Sequence, residues 1–453
     1  MTRAISRRGF LKLAGGTVAA AYGASLLPRF TGRNLLRPEA ISTASAAELP
    51  PNLMFAGTDG WIYLPPSPSI FSPSLGLYVH PDPYAPPPFT TYIFGFRNVT
   101  NMNPDPVIAQ QMIAAQKNKA QHNAPFFWVN EYNPAAPNEF RMQLTNLGLA
   151  QRPDLFDQHT IHWHGFRNVI PFFDGEPTGS VSVPQGQTFT YVFRPRDPGT
   201  YMYHCHVEDV EHVHMGMNGL VFVRPRQNGN TSFYPSGKYV YNDGDGSTGY
   251  DREFAMHLSE VWADSHWADA HIQLPEWSDY RADFSLLNGR VYPDTLAPNG
   301  SVDPFNPVRD ANGDLIAPAG RPDLQYQPYS ALVTCNAGER VLLRFANLGF
   351  KEAVMTLTGI RMRVVGKDAT LMRGRGGAST SYETETLSFG AGESIDAIFT
   401  APPYQGPGPY DTYLLYNRRF TQTDNLAGGY GGQTTQVRVY PAGTLAAQSV
   451  PNT

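Results

Sequence analysis

His204-Cys205-His206-Val207-Glu208-Asp209-Val210-Glu211-His212-Val213-His214-Met215-Gly216-Met217 runs straight into Asn218-Gly219-Leu220-Val221-Phe222-Val223, and this stretch decides how the chain folds. Its second half is rich in β-branched and aromatic residues, so it reads as a strand. Upstream, Gly199-Thr200-Tyr201-Met202-Tyr203 reads as another, and the strand pattern extends back to Phe126. With Gly 42, Pro 40 and aromatics at 12%, and with long helical stretches rare, many short strands joined by turns follow, an all-β architecture. A helical insert is expected only near Pro106 to Gln121.

A second block, His159-Thr160-Ile161-His162-Trp163-His164-Gly165, precedes the first, and seven of the 12 histidines fall between His159 and His214. Two histidine blocks of this density, one enclosing a cysteine, point to metal ligation. Side chains alternate along a strand, so His162 and His164 share one face, His204 and His206 share one face, and His159 and Cys205 have the opposite parity. A thiolate with two imidazoles and a weak axial thioether is the blue-copper donor set. His159, Cys205, His212 and Met217 supply it. His212 fits better than His214 because it keeps a five-residue step to the methionine.

These blocks resemble the HxxHxHG and HCH…His…Met motifs of the multicopper oxidases, especially two-domain, laccase-like members with type 1 copper in the first domain. The resemblance implies two cupredoxin-like Greek-key β-sandwich domains. It implies a type 1 copper held by His159, Cys205, His212 and Met217, a type 2-like ligand in His162, and type 3-like ligands in His164, His204 and His206. It also implies a copper-dependent oxidoreductase. In that reading a phenolic or metal-ion donor gives electrons at His212, they pass through Cys205 to His204 and His206, the residues expected to be catalytic, and dioxygen receives them. Two-domain members further imply a homotrimer.

The second half echoes the first: Glu139 to Gly148 resembles Glu339 to Gly349, and Gly199 to Tyr203 resembles Asp411 to Tyr416. The ligands are not repeated. Aligning Gly165 with Gly359 sets Ala353, Thr356 and Thr358 against His159, His162 and His164, and aligning the tyrosine strands sets Tyr416, Asn417 and Arg418 against His204, Cys205 and His206. Two other readings therefore stay open, a mononuclear blue-copper electron carrier or copper-handling protein and, resembling the chain less, a copper nitrite reductase. His80, His122, His257, His266 and His271 lack ligand spacing and read as structural or exposed. The acidic run Val207 to Glu211 reads as a solvated turn, with attraction of cationic donors as its functional alternative.

The amino terminus, Ser6-Arg7-Arg8-Gly9-Phe10-Leu11-Lys12 followed by an apolar run to Leu27 and by Ala44-Ser45-Ala46, resembles a twin-arginine export signal. The apolar run is too short and too rich in glycine to span a bilayer. Residues 1–46 are the expected signal, 47–228 the copper-binding domain and 245–445 a second domain without ligands, with a Gly-rich linker between them. A periplasmic, cell-envelope or extracellular protein with no membrane span in the mature chain follows. Loss of seven basic residues and one acidic residue with the signal takes the net charge from −5 to −11, which argues against a nucleic-acid partner. Cys205 is taken by the metal site, and Cys335 reads as a buried apolar residue.

Overall fold

The computed structural model describes residues 49–66, 68–425 and 430–453, so the export-signal reading of residues 1–46 lies outside the described residues. Residues 50–453 form one compact unit. Its first part carries β1 (Leu53–Ile62), a small hairpin of β2 (Ile70–Ser72) and β3 (Leu77–His80), β4 (Thr91–Asn98), β5 (Phe127–Asn130), β6 (Phe140–Gly148), β7 (His162–His164), β8 (Thr188–Phe193), β9 (Gly199–His204) and β10 (Asn218–Arg224). They form two four-stranded sheets, ordered β4-β1-β6-β8 and β5-β10-β9-β7. β6 shows why: Phe140, Met142 and Leu144 are buried while Arg141, Gln143 and Thr145 between them are not. That alternation is what a strand with one wet face requires. Phe55, Phe127, Phe140, Trp163 and Tyr203 fill the space between the sheets.

The second part repeats the plan with β11 (Arg252–Val261), β12 (Phe284–Leu287), β13 (Val333–Asn336), β14 (Arg340–Asn347), β15 (Ala353–Leu357), β16 (Met362–Lys367), β17 (Thr370–Leu371), β18 (Tyr382–Thr384), β19 (Thr386–Phe389), β20 (Ser394–Thr400), β21 (Asp411–Asn417) and β22 (Thr434–Tyr440). β1 pairs parallel with β6 as β11 does with β14, and β9 pairs antiparallel with β7 as β21 does with β15. The repeated Asn-Leu-Gly has a local cause. Gly148 N donates to Asn146 Oδ1 at 2.8 Å and Gly349 N to Asn347 Oδ1 at 3.0 Å, the same side-chain turn closing the same strand. Cys335 lies in the second core, and both cysteines are free.

Among the described residues three helices sit outside the sheets: α1 (Pro106–Ala114), α2 (Asp209–Met215) and α3 (Ala263–Ala270). α1 ends earlier than the insert expected to reach Gln121. The run read as a solvated turn at Val207 to Glu211 instead leads into α2, whose far side, His212 to Met215, is buried. Among the contacts that hold the sandwiches together, an apolar patch and a buried ion cluster lie side by side. Met202, Leu220 and Phe222 pack against Ala255, Ala346 and Leu348. Beside them the fully buried Arg344 reaches Glu253 at 3.0 Å, Asp396 at 3.3 Å and Thr200 Oγ1 at 3.0 Å. A buried guanidinium is tolerated only when paired and hydrogen-bonded in this way.

Candidate metal centre

The pocket around Cys205 is assembled from three distant parts of the first sandwich. His159 is held by a two-way bridge to Val183, its N–H donating at 3.1 Å and its carbonyl accepting at 2.8 Å. Cys205 follows the end of β9, where its N–H donates to Met217 O at 3.0 Å. α2 brings His212 round so that its Nδ1 lies 3.3 Å from Cys205 Sγ. Donor atoms of His159, Cys205 and His212 all lie within 4.8 Å of one another, and each residue is buried. Met217 is fully buried beside them, and a Cβ at Gly57 would meet His159 Cδ2 at 2.8 Å and Met217 Cε at 3.4 Å. Glycine on β1 is therefore what leaves room for both side chains. His214, on another side of α2, takes a hydrogen bond from Trp262 N at 3.1 Å and stands apart from this group.

The electrostatics suit a metal. Burial alone would raise the Cys205 thiol, but the charge and hydrogen bond of His212 hold it well below its ordinary value. Burial opposes charge on His212, yet Cys205 and Asp157 push it up to about 10. Each group thus favours the charged form of the other, and thiolate is the form that binds copper. Thr160 N also donates to the sulfur at 3.4 Å. Apart from the Cys205 sulfur, which a His159 hydrogen bond also helps to hold as thiolate, the His159 ring nitrogens are buried with no partner among the described residues, a cost of about 1–3 kcal/mol that a metal ligand avoids. Two imidazoles, a thiolate and an adjacent thioether match the copper donor set.

A second group lies across the same strand pair. β7 and β9 set His162 opposite His204 and Trp163 opposite Tyr203. The aromatic pair turns into the core, and the imidazoles face the other way. Donor atoms of His162, His164 and His204 fall within 4.8 Å of one another, while the His206 ring packs 4.9 Å from that of His162. Hydrogen bonds aim two of these rings. His162 Nδ1 donates to Asp174 O at 2.8 Å and His204 Nδ1 to Cys205 O at 2.8 Å, which leaves each Nε2 free to ligate. His204 Nε2 comes to 3.4 Å from His164 Nδ1. Burial lowers His162, lowers His164 with help from the charge of His162, and takes His204 down to about 3, so these rings are neutral at physiological pH. The four histidines line a cavity of about 370 Å³ whose opposite wall comes from the second sandwich, at Leu348, Gly349, Phe350, Ala391 and Gly392.

The structure therefore brings six of the eight sequence-predicted ligands into two close donor groups, with Met217 buried beside the first and His206 at the edge of the second. It adds partners that spacing did not reveal. Asp157 Oδ2 lies 3.4 Å from His212 Nε2, and Asp157, Glu208 and His212 form a third close group. Asp157 stands two residues before His159, the one sequence signal that points to it, whereas nothing in sequence ties Asp174 to His162. In the second sandwich Thr356 lies opposite Tyr416, the positions aligned with His162 and His204. Asn417, aligned with Cys205, is buried in amide hydrogen bonds to Gln422 at 3.0 Å and Gln433 at 2.7 Å. His80, His122, His257 and His266 are buried, and His271 stacks between Tyr84 and Trp267.

Comparison with known proteins agrees with this geometry. Residues 117–228 match the family model for multicopper oxidase. Laccase-15 of Oryza sativa subsp. japonica is 25% identical over 251 residues, 54% of this chain and 34% of that protein. The L-ascorbate oxidase of Nicotiana tabacum is 30% identical over 166 residues, 35% of this chain and 25% of that protein. The matched stretch thus spans about a third and a quarter of these two relatives' own lengths. A blue copper oxidase from Nitrosomonas europaea superposes with a TM-score of 0.52 at 18% identity, covering 85% of each chain, and the multicopper oxidase mgLAC with 0.52 at 18%, covering 87% of each. That likeness shows the fold, two cupredoxin-like sandwiches, as expected from the sequence.

Proposed function

We propose that this chain, which carries a multicopper oxidase domain at residues 117–228, is a copper-dependent oxidoreductase that takes electrons at His212 and delivers them, through Cys205 and His204, to dioxygen at the imidazole pocket. The observation that carries this is the shared residue junction: Cys205 belongs to one donor group, and His204, the residue before it, belongs to the other. Copper bound in the two groups supplies one-electron redox chemistry. The chain's own residues supply everything that positions it. Asp157 fixes the outer nitrogen of His212, and Thr160 joins the two groups, donating its N–H toward Cys205 Sγ and accepting His206 N at 2.8 Å on its hydroxyl. The His204 Nδ1–H bond to Cys205 O gives a second link between the groups besides the covalent one. Four imidazoles under the second sandwich leave a cavity for a small oxidant.

The donor is a phenol or a reduced metal ion. Asp157 and Glu208 beside the outer edge of His212 support a cationic one, since carboxylates raise the local concentration of cations. Export by the twin-arginine route to the periplasm, cell envelope or exterior, and a homotrimeric assembly, belong to the same reading and rest on the sequence resemblance. Among the described residues, no helix is long and apolar enough to cross a membrane. One observation favours a second reading, a one-electron carrier: Thr356 and Tyr416 stand where the second sandwich would offer facing ligands. Copper content with oxygen uptake decides between them. Two or more coppers per chain and oxygen consumption support the oxidase; one copper and none support the carrier.

A further inference from the structure

The outer face of the larger sheet in the second sandwich carries a cluster of arginines far in the fold from the metal groups. β14, β20 and β16 lie side by side, with Arg340 opposite Thr400 and Arg363 opposite Ile398. Leu342 and Ile398 on this face pack under Val240, Tyr241 and Tyr250, so the segment joining the sandwiches folds back over it. Between that segment and the sheet lies a cavity of about 500 Å³, lined by Arg340, Arg361, Arg363, Ser247 and Thr400, with Glu383 as its one carboxylate.

Two guanidinium groups meet there on one neutral oxygen. Arg340 donates to Ser247 O at 2.6 Å and to Gly246 O at 3.2 Å, and Arg363 donates to the same Ser247 O. A carbonyl accepts such bonds but cancels no charge. Among the described residues neither Arg340 nor Arg363 has an ion-pair partner, and the Arg361–Glu383 contact is loose, 3.8 Å between side chains that are 63% and 61% exposed. Arg340 is fixed by stacking 4.8 Å over the Tyr234 ring, so it cannot swing away from Arg363 cheaply. Burial, with the charge of Arg363 adding to it, holds the Arg340 guanidinium below its ordinary pKa, although the nearby carboxylates of Asp251 and Asp243 oppose this. On a chain of net charge −5, three like charges converging on a concave site call for a counter-charge from outside.

We propose that this cavity binds a doubly charged oxyanion, the phosphate group of a small soluble molecule, held by Arg340, Arg361 and Arg363. Arginine forks match the spaced oxygens of phosphate, and several of them can share one such group. A bound phosphate would also tie the joining segment to β14 and β16.

The test is calorimetric titration of the copper-loaded protein with inorganic phosphate at constant ionic strength, beside thermal melting in phosphate and in chloride. The expected result is a Kd of about 1 mM or tighter, and a melting temperature raised by phosphate and not by chloride. Arg361→Gln with Arg363→Gln should weaken binding at least tenfold, Arg363→Lys alone less, and Arg375→Gln, on an exposed loop outside the cavity, not at all. The wild-type measurements stand even if the double variant folds poorly. No heat with phosphate, an equal effect of chloride, unchanged binding in a folded double variant, or binding to phosphatidylglycerol vesicles but not to phosphate would each overturn the proposal.

Discussion

At one edge of the first sandwich His162 lies opposite His204, and at the equivalent edge of the second Thr356 lies opposite Tyr416. The backbones follow one plan, down to the Asn-Leu-Gly turn that closes β6 and β14. What differs is where the polar groups find partners. Asn417 binds Gln422 and Gln433 with its amide nitrogen and accepts Val354 N at 3.1 Å on its oxygen, so that edge is satisfied from within. The first sandwich leaves the buried His159 ring with no partner but the Cys205 sulfur and turns three neutral imidazoles toward one point. A cupredoxin-like sandwich evidently stands without a metal when amides replace its ligands, and the first one is built around a partner the protein does not itself contain.

The sharpest way to break this comparison is Cys205→Ser. The copper-loaded protein should lose its visible thiolate-to-copper absorption entirely while its circular dichroism is unchanged; a colour that survives would remove Cys205 from the site. Next comes His162→Ala with His164→Ala. Oxygen uptake should fall at least about 100-fold with the colour retained, because these side chains lie across the strand from Cys205. Equal loss of colour and uptake would show that the two groups are not separable.

Acid stability is expected to change by several kcal/mol. Burial takes His257 down to about 3 and His80 and His266 to about 4, against an ordinary value of 6.5. Their neutral form is the folded form, so the unfolded chain binds protons first. Stability is therefore complete above pH 6.5 and falls toward pH 4 by about 1.4 kcal/mol per pH unit for each such group. Urea titrations of the copper-loaded protein between pH 7 and 4.5 read this, and a flat profile would refute it. Asn417→Ala should cost about 2–3 kcal/mol, since Gln422, Gln433 and Val354 N lose their partner in a buried place, with copper content untouched. Lost copper there would mean the second edge supports the first. The smallest effect is Gly57→Ala: crowding of His159 and Met217 should shift the visible band and lower the melting temperature by a cost of about 1–3 kcal/mol.

Much of this was legible in sequence because strand parity turns spacing into geometry. The separation of Trp163 and Tyr203 from His162 and His204 follows from a period of two, and the loss of ligands at Thr356 and Tyr416 from the internal repeat. The run before His212 was read as a turn because its acidic residues face solvent, and the buried far side of α2 is too short to show helical period. Asp174, Gly57 and Gly392 escaped because each acts on a residue distant in the chain: a Cβ at Gly392 would come within 3.2 Å of His164 Nε2. The Gly-rich linker looked polar throughout, yet its Val240 and Tyr241 are buried against the second sheet. No local pattern distinguishes a linker from a strap when the surface it covers lies a hundred residues further on.

The position of Gly57 beneath His159 and Met217 bears on the order in which the molecule is made. The pocket needs β1, the bridge at Val183 and the end of β9 together, and Thr160 and Cys205, which touch within it, are 45 residues apart. Contacts of such range close late, because the entropy of looping the intervening chain must be met before they form. No partial length of chain short of α2 offers all the donors, so a growing chain holds scattered thiol and imidazole groups of ordinary affinity. Copper is selected only once the first sandwich has closed, and a folding defect anywhere in it would surface first as a colourless protein.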